Sequence, residues 1–231
     1  MALKQLIFDA DDTLWYTTIL YQESKKKFAT LMQAQGIDPE IALATLTKVD
    51  IAQVQEFGFK RLRFPSSMVA TYKQLSKDPL PAIVKDCHDI GDSVFSQTAE
   101  NIPHVKEVIE TLHARFPLIL VTRGDQTVQL NRLHQSGLRR FFHAVHIVNT
   151  KHADLYRSIL KQHKLTPRET CSIGDSLKSD VLPAIEVGMA GIWIPNNNWS
   201  DFEKAEPPTG LPWFKQLESL TQLPEALTSW P

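Results

Sequence analysis

Cysteine is scarce in this sequence. There are two cysteines in 231 residues, Cys87 and Cys171, and their separation does not match the spacing of a metal-binding pair. Disulfide-stabilised scaffolds are much richer in cysteine, so the composition argues against that class and favours a reduced, cytoplasmic protein.

Long apolar runs and an excess of basic charge are also missing. Lysine and arginine total 25 against 26 aspartate and glutamate, for a formal net charge of -1. Proteins that bind a phosphate backbone usually carry net positive charge, so a nucleic-acid partner is not expected. Residues 1–4 lead directly into a strand pattern without an apolar signal region. No apolar stretch approaches the length of a membrane span, so a membrane partner is not expected either.

The features that are present are those of a globular protein, with 42% hydrophobic and 22% charged residues. The most informative stretch is Leu6–Phe8, a short buried-strand pattern that stops at Asp9, Asp11 and Asp12. Aspartates are poor strand formers, and carboxylates so close together repel each other unless a cation lies among them. One interpretation is a strand that presents Asp9 and Asp11 to a metal. The other is an acidic turn that caps a helix starting near Leu14.

Residues 16–100 have helical periodicity and no clear strand. Four helices are predicted, over residues 21–35, 39–57, 66–75 and 81–95, and the second has an Asp38–Pro39 start signal. One crossover needs far fewer residues than this, so we expect an inserted helical domain rather than ordinary crossover helices. The break at residues 58–65 contains Lys60, Arg61 and Arg63, which either bind a second anionic group of a substrate or form a solvated turn.

From Ile102 onward, strand and helix patterns alternate, which predicts a parallel sheet covered by helices on both faces. Strands are expected over residues 117–121, 141–148, 170–173 and 191–194, with helices over 103–115, 128–136, 153–164 and 177–187. A loop over 196–210, a short strand and a closing helix complete the chain. The predicted fold is therefore α/β, a Rossmann-like doubly wound core over 1–15 and 101–231 with a helical domain over 16–100.

Polar or charged residues follow several of these strands. In a parallel sheet the carboxyl ends of the strands share one edge, where ligands bind. Carboxylates, a hydroxyl and an ammonium group together suit phosphoryl transfer, which needs hard oxygen ligands for a divalent cation and positive charge around the phosphoryl oxygens. The residues expected to converge there are Asp9, Asp11, Thr122, Lys151, Asp175 and Asp180.

These residues match, in order, the four motifs of the haloacid dehalogenase superfamily, which the sequence resembles over nearly its whole length. Residues 9–13 match Asp-x-Asp-x-Thr, Thr122 matches the second motif, Lys151 the third, and residues 174–180 match Gly-Asp-x4-Asp. The helical insertion resembles the C1-type cap of the family. Position 12 is Asp where many members have Gly, and position 152 is His where Pro often follows the lysine. Neither position holds a catalytic group.

The resemblance implies a role for each matching residue. Asp9 would be the nucleophile and Asp11 the general acid and base. Mg²⁺ would be held by the Asp9 carboxylate, the Asp11 backbone carbonyl and Asp175. The phosphate would be bound by Thr122, the Arg123 amide and Lys151. Thr13 and Asp180 would support the groups that contact the metal and the phosphate.

The resemblance also implies the kind of reaction. A departing ester oxygen needs a proton and a halide does not, so an acid at position 11 favours hydrolysis of a small phosphate monoester over carbon–halogen cleavage. A phosphotransferase or phosphomutase would use the same residues. A non-catalytic binding or regulatory module on the same scaffold is a third alternative. A cap implies a small phosphorylated metabolite as partner, and Trp15 and Tyr16 would line its pocket or pack the hinge between core and cap.

Overall fold

The computed structural model describes residues 2–196, 205–228 and 230. The chain divides into two compact units. The first, here called the core unit, comprises residues 1–16, 99–123 and 129–231, and the second, the helical unit, comprises residues 17–98 and 124–128. The sequence-based domain limits, 1–15 with 101–231 and 16–100, remain our proposal for where the functional domains begin and end.

The core unit is built on a six-stranded sheet in the order β3-β2-β1-β4-β5-β6, and every pair of neighbouring strands is parallel. This confirms the predicted α/β class and parallel sheet. The strands are β1 Gln5–Phe8, β2 Leu118–Arg123, β3 Ala144–Val148, β4 Thr170–Gly174, β5 Ala190–Trp193 and β6 Phe214–Gln216.

Three of the four residues of β1 are apolar, which suits its central position in the sheet. All four of its residues are buried, as expected for a strand covered on both faces. Phe8, its last residue, is paired with Leu120 on β2 and Ile173 on β4. The chain therefore leaves the middle of the sheet at Asp9, and the acidic residues begin at the carboxyl edge.

Helices and short turns connect these strands. The α-helices of the core unit are α5 Val105–His113, α7 Ala153–Gln162, α8 Leu182–Glu186 and α9 Leu223–Thr228, while α6, Gln126–Gln135, has its first residues in the helical unit. One cluster packs residues of the sheet against α7 and α8, and its buried members are Ile7, Ile119, Val121, Tyr156, Ile159, Leu160, Ala184 and Met189.

Several element limits differ from the sequence-based prediction by two or three residues; β3, for example, begins at Ala144 rather than at residue 141. Strand β2 continues through Thr122 and Arg123, because both residues still pair with β3. The helix predicted over 177–187 is a π-helical turn, Leu177–Val181, followed by the short α8. Pro183 explains the break, since it lacks the N–H that a continuous helix would use. The predicted short strand and closing helix are present as β6 and α9, but most of the loop predicted over 196–210 lies outside the described residues.

The helical unit contains α1 Thr18–Ala34, α2 Pro39–Phe57, α3 Arg63–Leu75 and α4 Pro81–Ser96. The insertion is all-helical, of the C1 cap type, as predicted. The Asp38 side chain caps α2 by accepting from the N–H groups of Glu40 (2.8 Å) and Ile41 (3.0 Å). Helix α3 begins at Arg63, three residues earlier than predicted. A Cβ on Gly91 would lie 2.6 Å from Pro65 Cα, so glycine allows α4 to approach α3.

None of the helices in the described part of the chain has the length and apolar character needed to cross a lipid bilayer.

Candidate active site

The loop after β1 is a tight turn that begins inside the sheet. The Asp9 N–H donates to Ile173 O on β4 at 2.9 Å, which extends the β1–β4 pairing by one residue. The Ala10 carbonyl then accepts from the N–H groups of Thr13 and Leu14. Asp12 has φ 59°, in the left-handed region that glycine enters freely and aspartate tolerates. The turn thus explains why glycine and aspartate both suit position 12.

Lys151 lies between two of the predicted carboxylates. Its ammonium group donates to Asp9 Oδ1 and, at 2.6 Å, to Asp180 Oδ1. The exposed fractions of the three side chains are only 4% for Lys151, 8% for Asp9 and 2% for Asp180. Residues from three distant parts of the chain therefore form one buried ionic cluster at the carboxyl edge of the sheet.

Asp180 uses both carboxylate oxygens to fix this arrangement. Its Oδ1 accepts from Lys151, and its Oδ2 accepts from the Ser176 N–H at 3.1 Å. A Cβ at position 174 would lie 2.5 Å from the Asp180 side chain, so only glycine fits there without displacing that carboxylate. The Gly-Asp-x4-Asp motif is thus explained by the close approach of Asp180 to the end of β4.

Thr13 connects Asp9 with Asp175. Its hydroxyl lies 3.3 Å from Asp9 Oδ2 and 3.1 Å from Asp175 Oδ1, and it accepts from the Asp175 N–H at 3.0 Å. A hydroxyl has one proton, so it donates to one carboxylate at a time. One carboxylate oxygen from each of Asp9, Asp175 and Asp180 lies within 4.8 Å of the others.

This donor set fits a hard divalent cation. Burial first, and then the charge of Asp180, raises the pKa of Asp9 to about 7, despite the opposing effect of Lys151. For Lys151, burial acts to lower the pKa, but the charges of Asp180 and Asp9 outweigh it and raise the pKa. Buried carboxylates that disfavour each other's ionisation would be stabilised by a cation, and carboxylate oxygens are the ligands that Mg²⁺ prefers.

Asp11 lies among hydrogen-bond donors that the sequence analysis did not identify. Its carboxylate accepts from Trp15 Nε1 at 2.7 Å and from Gln129 Nε2 at 2.9 Å, and Arg132 Nη1 lies 3.3 Å from Oδ1. Gln129 and Arg132 lie three residues apart on α6, and both are buried. No motif marks them; the only available signal was a polar pair with helical spacing just after the second motif.

Trp15 itself is buried, with 1% of its surface exposed. Its indole N–H donates to Asp11, so its polar end is bonded to the carboxylate that was predicted to be the general acid and base. Tyr16, the other residue predicted at a pocket or hinge, is 39% exposed.

Thr122 and Arg123 end β2 close to Gln129. The Gln129 amide group donates to Thr122 Oγ1 at 2.6 Å and contacts Arg123 O at 3.1 Å. Because Thr122 accepts from Gln129, its own hydroxyl proton can point to another acceptor. The Arg123 side chain donates to Ser179 Oγ at 3.3 Å.

The three basic residues predicted to recognise substrate belong to the helical unit. Lys60 is exposed. Arg61 makes a two-point ion pair with Asp92, through Nε at 2.7 Å and Nη2 at 2.5 Å. Arg63 is buried and pairs with Asp50. Both arginines therefore have acidic partners on neighbouring helices of their own unit.

Comparisons with known proteins agree with this architecture. The model of a haloacid dehalogenase-like hydrolase family matches residues 3–188. This chain belongs to that hydrolase family. It is 24% identical, over 210 residues, to a glyceraldehyde 3-phosphate phosphatase of Methanopyrus kandleri, covering 87% of this chain and 88% of the relative.

Solved structures share the fold. A haloacid dehalogenase-like family hydrolase from Xanthomonas campestris superposes with a TM-score of 0.85 at 23% identity, covering 99% of this chain and 96% of that one. The putative hydrolase YfnB from Bacillus subtilis, described as bound to magnesium, superposes with a TM-score of 0.71 at 19% identity, covering 99% and 100%. At these identities the likeness establishes the fold alone.

Proposed function

We propose that this hydrolase cleaves small phosphate monoesters through a covalent intermediate on Asp9. The main observation in support is the buried cluster in which Lys151 contacts Asp9 and Asp180 while Thr13 links Asp9 to Asp175. A carboxylate held beside an ammonium group is suited to attack phosphorus, because the positive charge reduces repulsion between the carboxylate and the phosphate.

In the first step an Asp9 oxygen forms a bond to phosphorus and the ester P–O bond breaks. The departing alkoxide oxygen takes a proton from Asp11, so that a neutral alcohol leaves. Lys151, the Thr122 hydroxyl and the Arg123 amide would bind the phosphoryl oxygens during transfer. A halide would need no such proton, so the presence of Asp11 favours the phosphate ester as substrate.

In the second step water attacks the phosphorus of the aspartyl phosphate. Asp11, now a carboxylate, accepts a proton from that water, the bond between Asp9 and phosphorus breaks, and inorganic phosphate leaves. Asp11 thereby regains the proton that it gave to the alcohol, and Asp9 is again a free carboxylate.

Mg²⁺ is the proposed cofactor, held by the carboxylates of Asp9 and Asp175 with the Asp11 backbone carbonyl. When bound, it would supply positive charge that offsets the repulsion between the phosphate and the carboxylates. Asp180 already accepts hydrogen bonds from Lys151 and the Ser176 N–H. This supports a role in orienting Lys151 or a metal-bound water rather than as a direct metal ligand.

The proposed substrate is a small phosphorylated metabolite. The glyceraldehyde 3-phosphate phosphatase relative makes that compound the first one to test, and the helical unit is proposed to select the leaving group. Lys60, Arg61 and Arg63 remain candidates for this selection, although Arg61 and Arg63 would have to share their charge with Asp92 and Asp50.

A panel of phosphorylated metabolites, including glyceraldehyde 3-phosphate, with phosphate release as readout tests the proposal. We expect phosphate release from at least one small monoester, its loss with EDTA and its recovery with excess Mg²⁺. Phosphate that moves to another sugar without being released would indicate a phosphotransferase or phosphomutase. Binding without turnover by the Mg²⁺-loaded protein would favour a non-catalytic module and contradict the proposal.

A further inference from the structure

The Asp11 carboxylate is held by a network that joins it to Thr122. Gln129 contributes most to that connection, because its single amide group lies within hydrogen-bond distance of both Asp11 Oδ2 (2.9 Å) and Thr122 Oγ1 (2.6 Å). These are the proposed proton carrier and a proposed phosphate-binding hydroxyl. Their relative position therefore depends on the orientation of one side chain.

Arg132 determines which way the Gln129 amide faces. Its Nη1 lies 3.4 Å from Gln129 Oε1 and 3.3 and 3.4 Å from the two oxygens of Asp11. A guanidinium group only donates, so it favours the rotamer that turns the Gln129 oxygen toward Arg132 and the NH₂ toward Asp11 and Thr122. The Arg132 side chain is only 5% exposed, so solvent screens its contacts weakly.

We propose that Arg132 and Gln129 are positioning residues for catalysis, and that they hold the Asp11 carboxyl group where it exchanges protons with the leaving oxygen. This inference rests on the proposed phosphatase function. Neither residue needs to touch the substrate, since both act through Asp11 and Thr122. A displacement of about 1 Å in a catalytic group can lower a rate about 10²-fold, so contacts of this kind can control turnover.

Leaving-group dependence provides the kinetic test. A p-nitrophenolate leaves readily without a proton, whereas the alkoxide of glycerol 2-phosphate needs one. We expect Arg132→Met to lower kcat/KM for glycerol 2-phosphate about tenfold or more beyond its effect on p-nitrophenyl phosphate. Gln129→Met should show the same selectivity, and Arg132→Lys, which retains the charge, should recover part of the loss.

Asp11→Asn is the reference for this selectivity. If Arg132 acts through Asp11, adding Arg132→Met to Asp11→Asn should lower kcat/KM for glycerol 2-phosphate little further, because the group it positions can no longer transfer a proton. Independent, multiplicative losses would contradict the proposal. Arg157→Met is the matched control, since Arg157 forms an ion pair with Asp154 at the surface of the same unit and should leave both substrates unaffected.

The indole proton of Trp15 provides a readout that does not depend on activity. Trp15 Nε1 donates to Asp11 Oδ1 at 2.7 Å, so a change in the Asp11 carboxyl position should shift its NMR resonance. Among the five tryptophans, the Trp15 signal can be assigned as the one lost in Trp15→Phe. Arg132→Met and Gln129→Met should shift this signal, and Arg157→Met should not.

The outcomes separate the two proposals. Equal losses on both esters with an unmoved Trp15 signal would mean that Arg132 and Gln129 are merely structural, while the phosphatase function stands. A wild-type protein that hydrolyses neither ester, nor any member of the metabolite panel, would overturn the function and this inference together. A shifted Trp15 signal together with selective loss on the alkyl ester would support both.

Discussion

Charged residues are organised differently in the two units. At the carboxyl edge of the core sheet, Lys151 is shared by two carboxylates from distant parts of the chain, and all three side chains are at least nine-tenths buried. In the helical unit, Arg61 and Arg63 each pair with one acid on a neighbouring helix, and the side chains of Arg61 and Asp92 are 42% and 26% exposed. Burying several charges together is costly for stability, so the first arrangement is typical of a reaction site and the second of helix packing.

The largest loss of activity should come from replacing Asp9. Asp9→Asn keeps the shape of the side chain but removes the attacking oxygen, so we expect phosphatase activity to fall at least about 10⁴-fold. Circular dichroism should show an unchanged fold, because Asn can still accept from Lys151. Retained turnover of p-nitrophenyl phosphate would remove Asp9 as nucleophile and, with it, the functional reading of the whole cluster.

Replacing Lys151 tests how the buried cluster contributes to stability and to catalysis. Lys151→Met leaves Asp9 and Asp180 without their shared cation, and we expect a loss of about 3 kcal/mol in the free energy of unfolding. We also expect about 10²-fold lower kcat, since positive charge is lost from the phosphate site. Denaturant titration without added divalent cation measures the first effect. Lys161→Met, at an exposed position on α7, is the control and should change neither quantity.

The cluster at the carboxyl edge of the core sheet was easier to predict from the sequence than the ion pairs of the helical unit, and the reason is physical. Parallel topology requires all strands to end at one edge, so Asp9, Lys151 and Asp175 could be placed together from their positions after strand patterns. The partners of Arg61 and Arg63 depend on how helices pack, which residue types alone do not specify.

The same reason explains what was missed inside the core unit. Gln129 and Arg132 lie within α6, seven and ten residues after Thr122, and their orientation toward Asp11 depends on how α6 packs against the loop that follows β1. Element limits show a similar pattern: β2 is longer than predicted because β3 pairs with Thr122 and Arg123, a contact distant in sequence.

Within the helical unit, the two arginines should contribute unequally. Arg63 is buried and its removal leaves Asp50 without its cation, so Arg63→Met should lower the free energy of unfolding by about 2 kcal/mol. Arg61→Met should cost only about 0.5 kcal/mol, because solvent screens its pair with Asp92. Thermal or urea unfolding of both variants measures the contrast, and equal losses would contradict our distinction between buried and exposed pairs.

Arg61 also allows a test of substrate recognition. If it contacts the leaving group, Arg61→Ala should raise KM for the substrate identified by the metabolite panel while leaving p-nitrophenyl phosphate unaffected. Asp92→Ala is the informative companion, since it frees the guanidinium group and should not raise KM. Equal effects of Arg61→Ala on both esters would restrict Arg61 to its structural pair.

The smallest effect is expected from a histidine pair that joins His146, in the middle of edge strand β3, to His163, directly after α7. The Nε2 atoms of His146 and His163 lie 2.9 Å apart, and the His143 ring contacts His163. Burial first, then the charges of His163 and His143, lowers the pKa of His146. For His143, burial and then the charge of His163 lower the pKa, with a further contribution from His113.

The sign of the resulting pH effect follows from proton binding. A histidine with a lowered pKa binds fewer protons in the folded state than in the unfolded state, so the free energy of unfolding falls as pH decreases below about 6.5. We expect His146→Gln to reduce the loss of stability between pH 7.5 and 5.5 in urea titrations, whereas His134→Gln, at an exposed position on α6, should leave it unchanged. If the pH dependence of the free energy of unfolding is unaltered in His146→Gln, this pair contributes as little to stability as the exposed ion pairs of the helical unit. If the pH dependence is reduced, partial burial of polar groups affects the stability of the core unit even outside the proposed active site.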